Sequence, residues 1–229
     1  MKTGIIGAME LEILELKARL DSVSVKTIAG MDFYSGEIAG NPVTLVQCGV
    51  GKVNAGICAQ ILILSFGADR IINIGVAGAI APILNIGDIV ISKDVVQHDF
   101  DTTAVGDALG VIPGLTASFC ACERLIESAK KAGDAVLDKN ALYIGRIATG
   151  DQFISAEQQK KHIAARFDAL CAEMEGGAIA QVCVLNNVPF VVIRAVSDKA
   201  DDSASVNFEE FAVYAAKNSS ELVYGMLSY

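Results

Sequence analysis

Five carboxylates carry the clearest chemical signal in the sequence: Glu12, Asp151, Glu173, Glu175 and Asp198 each stand at, or just past, the end of a segment that reads as a β-strand. In open α/β sheets ligands bind in the crevice beyond the carboxyl ends of the strands, so this placement could gather acids remote in sequence into one site. Two carboxylates in such a site suit general acid and base work, one giving a proton to a leaving group and the other taking one from water. Each acid also has a plainer explanation. Glu12, Glu173 and Glu175 fit the first turns of helices, where the macrodipole favours negative charge, and Asp198, in a Ser197-Asp198 step, fits an Asx-turn or a cap. Arg194 lies inside the apolar run VPFVVIRAVS. An unpaired guanidinium there would be costly, so it must meet a carboxylate or a solvated pocket. Taken alone, it reads most simply as half of a structural ion pair.

Other chemistries have weaker footing. His98 and His162 are the only histidines and no cysteine spacing supplies ligands, so a zinc site has little support. The acids of DFD at residues 99–101 are too short a signal for a hard cation. No G-x-S-x-G elbow is present. The glycine-rich turns GIIGAM, GVGKVNAG and GVAGAI let backbone approach a ligand closely, but none is a phosphate cradle of the GxxxxGK[ST] or GxGxxG kind. Phe153, Ile154 and Phe208 could wall a flat ring, and each would be equally at home in a core.

The elements that must position these residues alternate between strand and helix for almost the whole chain, the pattern of a central sheet covered on both faces. Strands are expected at residues 2–6, 33–38, 43–47, 70–74, 88–97, up to Thr149, 169–174 and 188–196. Helices are expected at residues 9–20, 51–66, 123–132, 156–165, 176–186 and 208–227. The AGNP turn at residues 39–42 makes a hairpin of its flanking strands, so the sheet should be mixed. In the first helix Met9, Ile13, Leu16 and Leu20 form one stripe while Leu11 and Leu14 fall opposite, so that helix should be covered on two sides. Residues 98–114 read as a long connection, and connections of that length are often functional. No linker or repeat interrupts the pattern, so residues 1–229 form one domain.

Composition narrows the partners. With 52% hydrophobic residues the chain can bury a large core, and a net charge of −9 with no basic stretch gives neither nucleic acid nor an anionic membrane an electrostatic footprint. No apolar segment runs to about 18 residues without interruption, so no membrane span is expected. The first residues, MKTGIIGAMELE, have too short an apolar stretch for a secretory leader. Four of the six cysteines lie in apolar runs and none forms CxxC, which suits buried thiols in a reducing cytosol and a cytoplasmic protein.

Five stretches taken together resemble the bacterial 5'-methylthioadenosine/S-adenosylhomocysteine nucleosidases, of the nucleoside phosphorylase-like fold: GIIGAMELE (residues 4–12), CGVGKVNA (48–55), GDQFI (150–154), AEMEGGAIAQVC (172–183) and VPFVVIRAVSDKAD (188–201). The resemblance implies a three-layer α/β/α domain around a mixed, partly barrel-like sheet, a homodimer, no cofactor, and hydrolysis of the N-glycosidic bond of a 5'-thioadenosine. It implies Glu12 as the base that activates water and Asp198 as the acid that protonates adenine N7. Phe153 and the Ile154 backbone would take the base, Met174 and Glu175 the ribose, and Met9 and Phe208 the 5'-alkylthio group. Gly78 would lie in a substrate loop, Arg194 and Ser197 would support the water and the acid, and residues 102–113 would reach into a neighbouring subunit's pocket.

The chain departs from the pattern at Val76, where a Ser in a GSAG turn is usual, at Val105, where an aromatic is frequent, and at Gly176-Gly177 in place of Ala-Thr. These bear on substrate preference and turnover more than on reaction type. Two alternatives remain at the level of sequence. A purine nucleoside phosphorylase of the same fold would use phosphate where this reading uses water, and a carboxylate at position 12 repels phosphate. A non-catalytic nucleoside sensor would predict loss of Glu12, Glu175 or Asp198, and all three are present. Aminodeoxyfutalosine nucleosidases differ only in the 5' pocket and stay open as a source of second substrates.

Overall fold

The structure is a computed structural model that describes residues 1–137, 142–201 and 203–228. Asp202, within the acidic loop 198–205, lies outside the described residues.

Runs of Ile and Val without charge form the parallel centre of the sheet: β1 (Thr3–Gly7) lies between β4 (Asn41–Gln47) and β5 (Arg70–Ala79), and β5 pairs in turn with β10 (Phe190–Asp198). Ile5, Ile6, Ile71, Ile72, Val191 and Ile193 are all buried, as expected where both faces of a parallel sheet are covered. Beyond β4 the sheet continues antiparallel through β3 (Met31–Ile38) to β2 (Asp21–Ile28).

On the other side the sheet closes on itself. β10 pairs antiparallel with β6 (Ile89–Gln97), β6 parallel with β8 (Leu142–Thr149), β8 parallel with the short β9 (Cys171–Glu173), and β9 antiparallel with the end of β5. β7 (Phe119–Cys120) adds to β6. The result is a five-stranded ring, β5-β10-β6-β8-β9, with an open wing of β1, β4, β3 and β2. The mixed, partly barrel-like sheet expected from the sequence is the sheet observed.

β5 makes this possible by its length. Its first residues, 70–73, pair with β1 along one edge, and residues 78–79 of the same edge pair with β9. The GVAG segment, expected as the turn after the strand, is therefore the strand's own second half.

Helices α2 (Lys52–Phe66) and α5 (Gly176–Leu185) pack together on one side of the sheet; α1 (Glu10–Ala18), α3 (Glu123–Val136) and α6 (Ala204–Ser228) pack together on the other, with α4 (Glu157–Phe167) beside β8. These make the three layers. Among the described residues no helix is long and apolar enough to cross a membrane.

Three differences from the sequence reading have physical causes. β2 gives no strand signal because seven of its eight residues are exposed, so no buried face imposes an alternation. α6 begins at Ala204 and places Phe208 in its second turn, not at its start. α1 is covered on its second side only in part: Ile13 and Leu16 are buried and Leu11 packs half-buried against the core, but Leu14 is 53% exposed.

Candidate active site

Where β1, β5, β9 and β10 end, they open onto a cavity of about 530 Å³. Of the site residues that the resemblance implies, all line it except Arg194, which is buried and hydrogen-bonded to the lining residue Glu173. Asp151, the fifth strand-end acid, does not join them. It is exposed, and its Oδ1 accepts the backbone N–H of Lys52 at 2.8 Å, tying its loop to the start of α2.

One end of the cavity is a charged network. The tight connection from β1 into α1 points Glu12 inward. Its Oε2 accepts the N–H groups of Ala8 (2.6 Å) and Met9 (2.9 Å), and its Oε1 accepts the N–H of Val76 at 3.0 Å. Glu12 thus caps its own helix through Oε2 and is also one of the residues that line the cavity. Burial pushes its pKa up, while Arg194 and the three backbone donors work against that rise.

Arg194 and Glu173 are both fully buried and hydrogen-bonded to each other. Glu173 also accepts the Thr149 hydroxyl and the N–H groups of Glu175 (3.1 Å) and Gly176 (2.7 Å), which caps α5. Glu175 places Oε2 3.6 Å from Arg194 Nη2 and accepts the Gly51 N–H at 2.9 Å through Oε1. Burial, aided by Glu173, pushes the Glu175 carboxyl up to about 7. For Arg194 burial opposes the charge, and Glu173, Glu175 and Glu12 more than offset it.

The opposite end has a single acid in quieter surroundings. Asp198 ends β10; its Oδ1 accepts the Ala200 N–H at 2.8 Å, an Asx-turn, and its Oδ2 accepts the Ser197 hydroxyl at 2.9 Å. Burial raises its pKa against those two donors; Asp201 adds to the rise and Lys160 opposes it. Gly78, in register with Asp198 on β5, lies in the strand and not in a loop. A Cβ at Gly78 would stand 2.8 Å from Asp198 Oδ1, so the glycine is what lets the acid lie against β5.

Between these ends the walls are apolar. Phe153 and Phe208 meet edge to face, ring centroids 5.7 Å apart, with Phe153 45% exposed at the mouth. Ile154 is buried behind them, and Met9 and Met174 are half-buried on the flanks. The lining residues to which the sequence reading gave no site role include Val50, Ser205 and Glu209. The last two lie one helical turn apart on α6, a spacing that becomes visible only once the helix is known to start at Ala204. Among the described residues no cluster of three or more His, Cys, Asp or Glu side chains is arranged to hold a metal ion.

A family model for the phosphorylase superfamily matches residues 2–228. The 5'-methylthioadenosine/S-adenosylhomocysteine nucleosidase of Geobacillus kaustophilus is 47% identical over 229 residues, covering 100% of this chain and 97% of its own. Among solved structures, the nucleosidase of that name from Neisseria meningitidis, in complex with methylthio-immucillin-A, superposes with a TM-score of 0.97 at 39% identity, covering 99% of this chain and 98% of that one. The corresponding enzyme from Colwellia psychrerythraea, in complex with adenine, gives a TM-score of 0.94 at 41% identity over 99% of this chain and 94% of that one. With the whole chain aligned and the pocket framed by the same strand ends that the motifs mark, this chain belongs to the phosphorylase superfamily and, within it, to the 5'-methylthioadenosine/S-adenosylhomocysteine nucleosidases.

Proposed function

We propose that the protein hydrolyses the N-glycosidic bond of 5'-methylthioadenosine and S-adenosylhomocysteine, releasing adenine and the 5'-thio-sugar. The observation that carries this reading is the lining of one cavity by Glu12 and Asp198 from opposite ends, one beside a guanidinium and the other remote from it. Adenine anion is a poor leaving group, so N7 must gain a proton as the C1'–N9 bond breaks and the sugar takes on oxocarbenium character. Asp198, with its pKa raised by burial, is the acid that gives that proton. Glu12 takes a proton from the water whose oxygen bonds to C1', as the base of an inverting glycosidase does. Its raised pKa makes it a stronger base than an exposed glutamate.

The remaining groups position the substrate. Phe153 and the Ile154 backbone hold adenine, Met174 and Glu175 the ribose hydroxyls, and Met9 and Phe208 the 5'-alkylthio group. A Glu175 carboxyl that titrates near neutrality can both donate to a sugar hydroxyl and accept from one. Ser197 orients Asp198 and Arg194 supports the water side. Phosphate is disfavoured as the nucleophile because Glu12, Glu173 and Glu175 surround Arg194, leaving that end rich in carboxylate.

The working unit in this reading is a homodimer in the cytoplasm. Val53, Ile57 and Leu64 are exposed apolar residues on α2, as is Leu185 on the adjoining α5, and Val105 is 81% exposed within the segment expected to reach the neighbouring pocket. Cys48, Cys58, Cys171 and Cys183 are buried and free, which suits a reducing compartment.

Adenine release from a panel of 5'-substituted adenosines in phosphate-free buffer tests the assignment. The expected result is turnover of methylthioadenosine and S-adenosylhomocysteine without phosphate. Strict dependence on phosphate would overturn it in favour of the phosphorylase chemistry of the wider superfamily.

A further inference from the structure

Arg194 must reach from the middle of β10 across its neighbour strand to the carboxylates, and β5 determines the path. Arg194 pairs in register with Gly75. A Cβ at Gly75 would lie 2.6 Å from Glu12 Oε1 and 3.0 Å from Arg194 Nη1, so the glycine keeps open the space that separates the two groups. Two residues earlier, on the same face of β5, Asn73 is 1% exposed. Its Nδ2 donates to the Ile6 carbonyl at 2.9 Å, and its Oδ1 accepts from Arg194 Nη2 at 2.7 Å. The two partners agree on one orientation of the amide. A flipped side chain would set oxygen against the Ile6 carbonyl and N–H against the guanidinium. Nη2 is thereby shared between Asn73 below and Glu173 beside it.

We infer that Asn73 is a positioning residue for the water side of the reaction: it holds the guanidinium of Arg194 between Glu12, Glu173 and Glu175, where otherwise Glu173, the more distant Glu175 and the Ile193 carbonyl would fix it. The inference rests on the reading of Glu12 and Arg194 given above. Its consequence is local. Without the Asn73 acceptor, Arg194 swings toward Glu173 and away from Glu12, while the adenine end, built on other residues of β5 and on β10's last residue, keeps its geometry.

The test compares Asn73→Ala with the wild type and with Glu12→Gln. The groups that face Glu12 are Arg194 from β10, the carboxylates of Glu173 and Glu175 behind it, and the backbone donors of Ala8, Met9 and Val76. Asn73→Ala is expected to lower kcat by up to about 100-fold, the scale on which small misplacements act. The ascending limb of its pH profile should move to higher pH, because Arg194 now does less to favour ionised Glu12, and adenine affinity should be unchanged. Asn73→Asp keeps an oxygen against Nη2 but sets its second against the Ile6 carbonyl, so it should regain only part of the kcat that Asn73→Ala loses. Should Asn73→Ala not fold, Asn73→Ser, too short to reach Nη2, carries the same expectation. Unchanged kcat and pH limb in the folded variant, or loss of adenine affinity in parallel with kcat, overturns the inference while an inactive Glu12→Gln leaves the underlying reading standing. Wild-type turnover by Glu12→Gln overturns both.

Discussion

The two ends of the cavity use the same side-chain chemistry in opposite surroundings. Glu12 accepts three backbone N–H groups and has Arg194 nearby, whereas Asp198 accepts one N–H and one hydroxyl, and the Asp201 carboxylate works against its ionisation. Burial raises both pKa values, so burial does not distinguish the two acids. What distinguishes them is the count of donors and the presence of a guanidinium, both of which favour the ionised form of Glu12.

That asymmetry is most directly broken by removing each acid in turn. Asp198→Asn and Glu12→Gln should each lower kcat for methylthioadenosine by about 10²–10⁴-fold, the range typical of a lost general acid or base. The two variants should part company on a riboside whose leaving group departs without protonation, such as a nitrophenolate. Asp198→Asn should there recover most of the wild-type rate, and Glu12→Gln should not. Equal losses on both substrates, measured by single-turnover kinetics, would show that the two ends do not have separate tasks.

Glu175 sharpens the comparison through stability. Its folded carboxyl is pushed up to about 7, against an ordinary glutamate value of 4.5, so the folded state holds a proton that the unfolded chain has already released between those two values. Stability should therefore fall as pH rises across that window and level off above it, by at most about 1.4 kcal/mol per pH unit for one proton. Urea unfolding of Glu175→Gln from pH 4.5 to 8 should lack this fall. A variant that follows the wild-type curve would mean that the pairing with Arg194 keeps Glu175 ionised throughout.

The same contrast explains what could be read in the sequence. Glu12 and Asp198 were legible because a strand end followed by an acid leaves few places for the side chain other than the crevice or a cap, and here each residue serves as both. An amide inside IINIG raises the same question as the guanidinium inside VPFVVIRAVS: a buried polar group needs a partner, and Asn73 and Arg194 are partners. Ring closure was harder to see. It depends on β5 pairing with β1 and β9 along one edge, and on a β9 of three residues, neither of which leaves a periodic trace. β2 left no trace either, for want of a buried face.

Asp151 shows how the strand-end signal misleads. It follows β8 as Asp198 ends β10, yet its neighbours turn it outward, and its Oδ1 meets the first N–H of α2 in place of a ligand. Helix-start N–H groups lack partners within the helix, so an acceptor there stabilises by about 0.5–2 kcal/mol. Asp151→Ala should cost a stability of that size, read as a lower urea midpoint at unchanged slope, and kcat/KM of the folded enzyme should stay at the wild-type value. A variant of full stability and reduced turnover would place Asp151 back among the acids of the cavity, and the strand-end rule would then hold for all five.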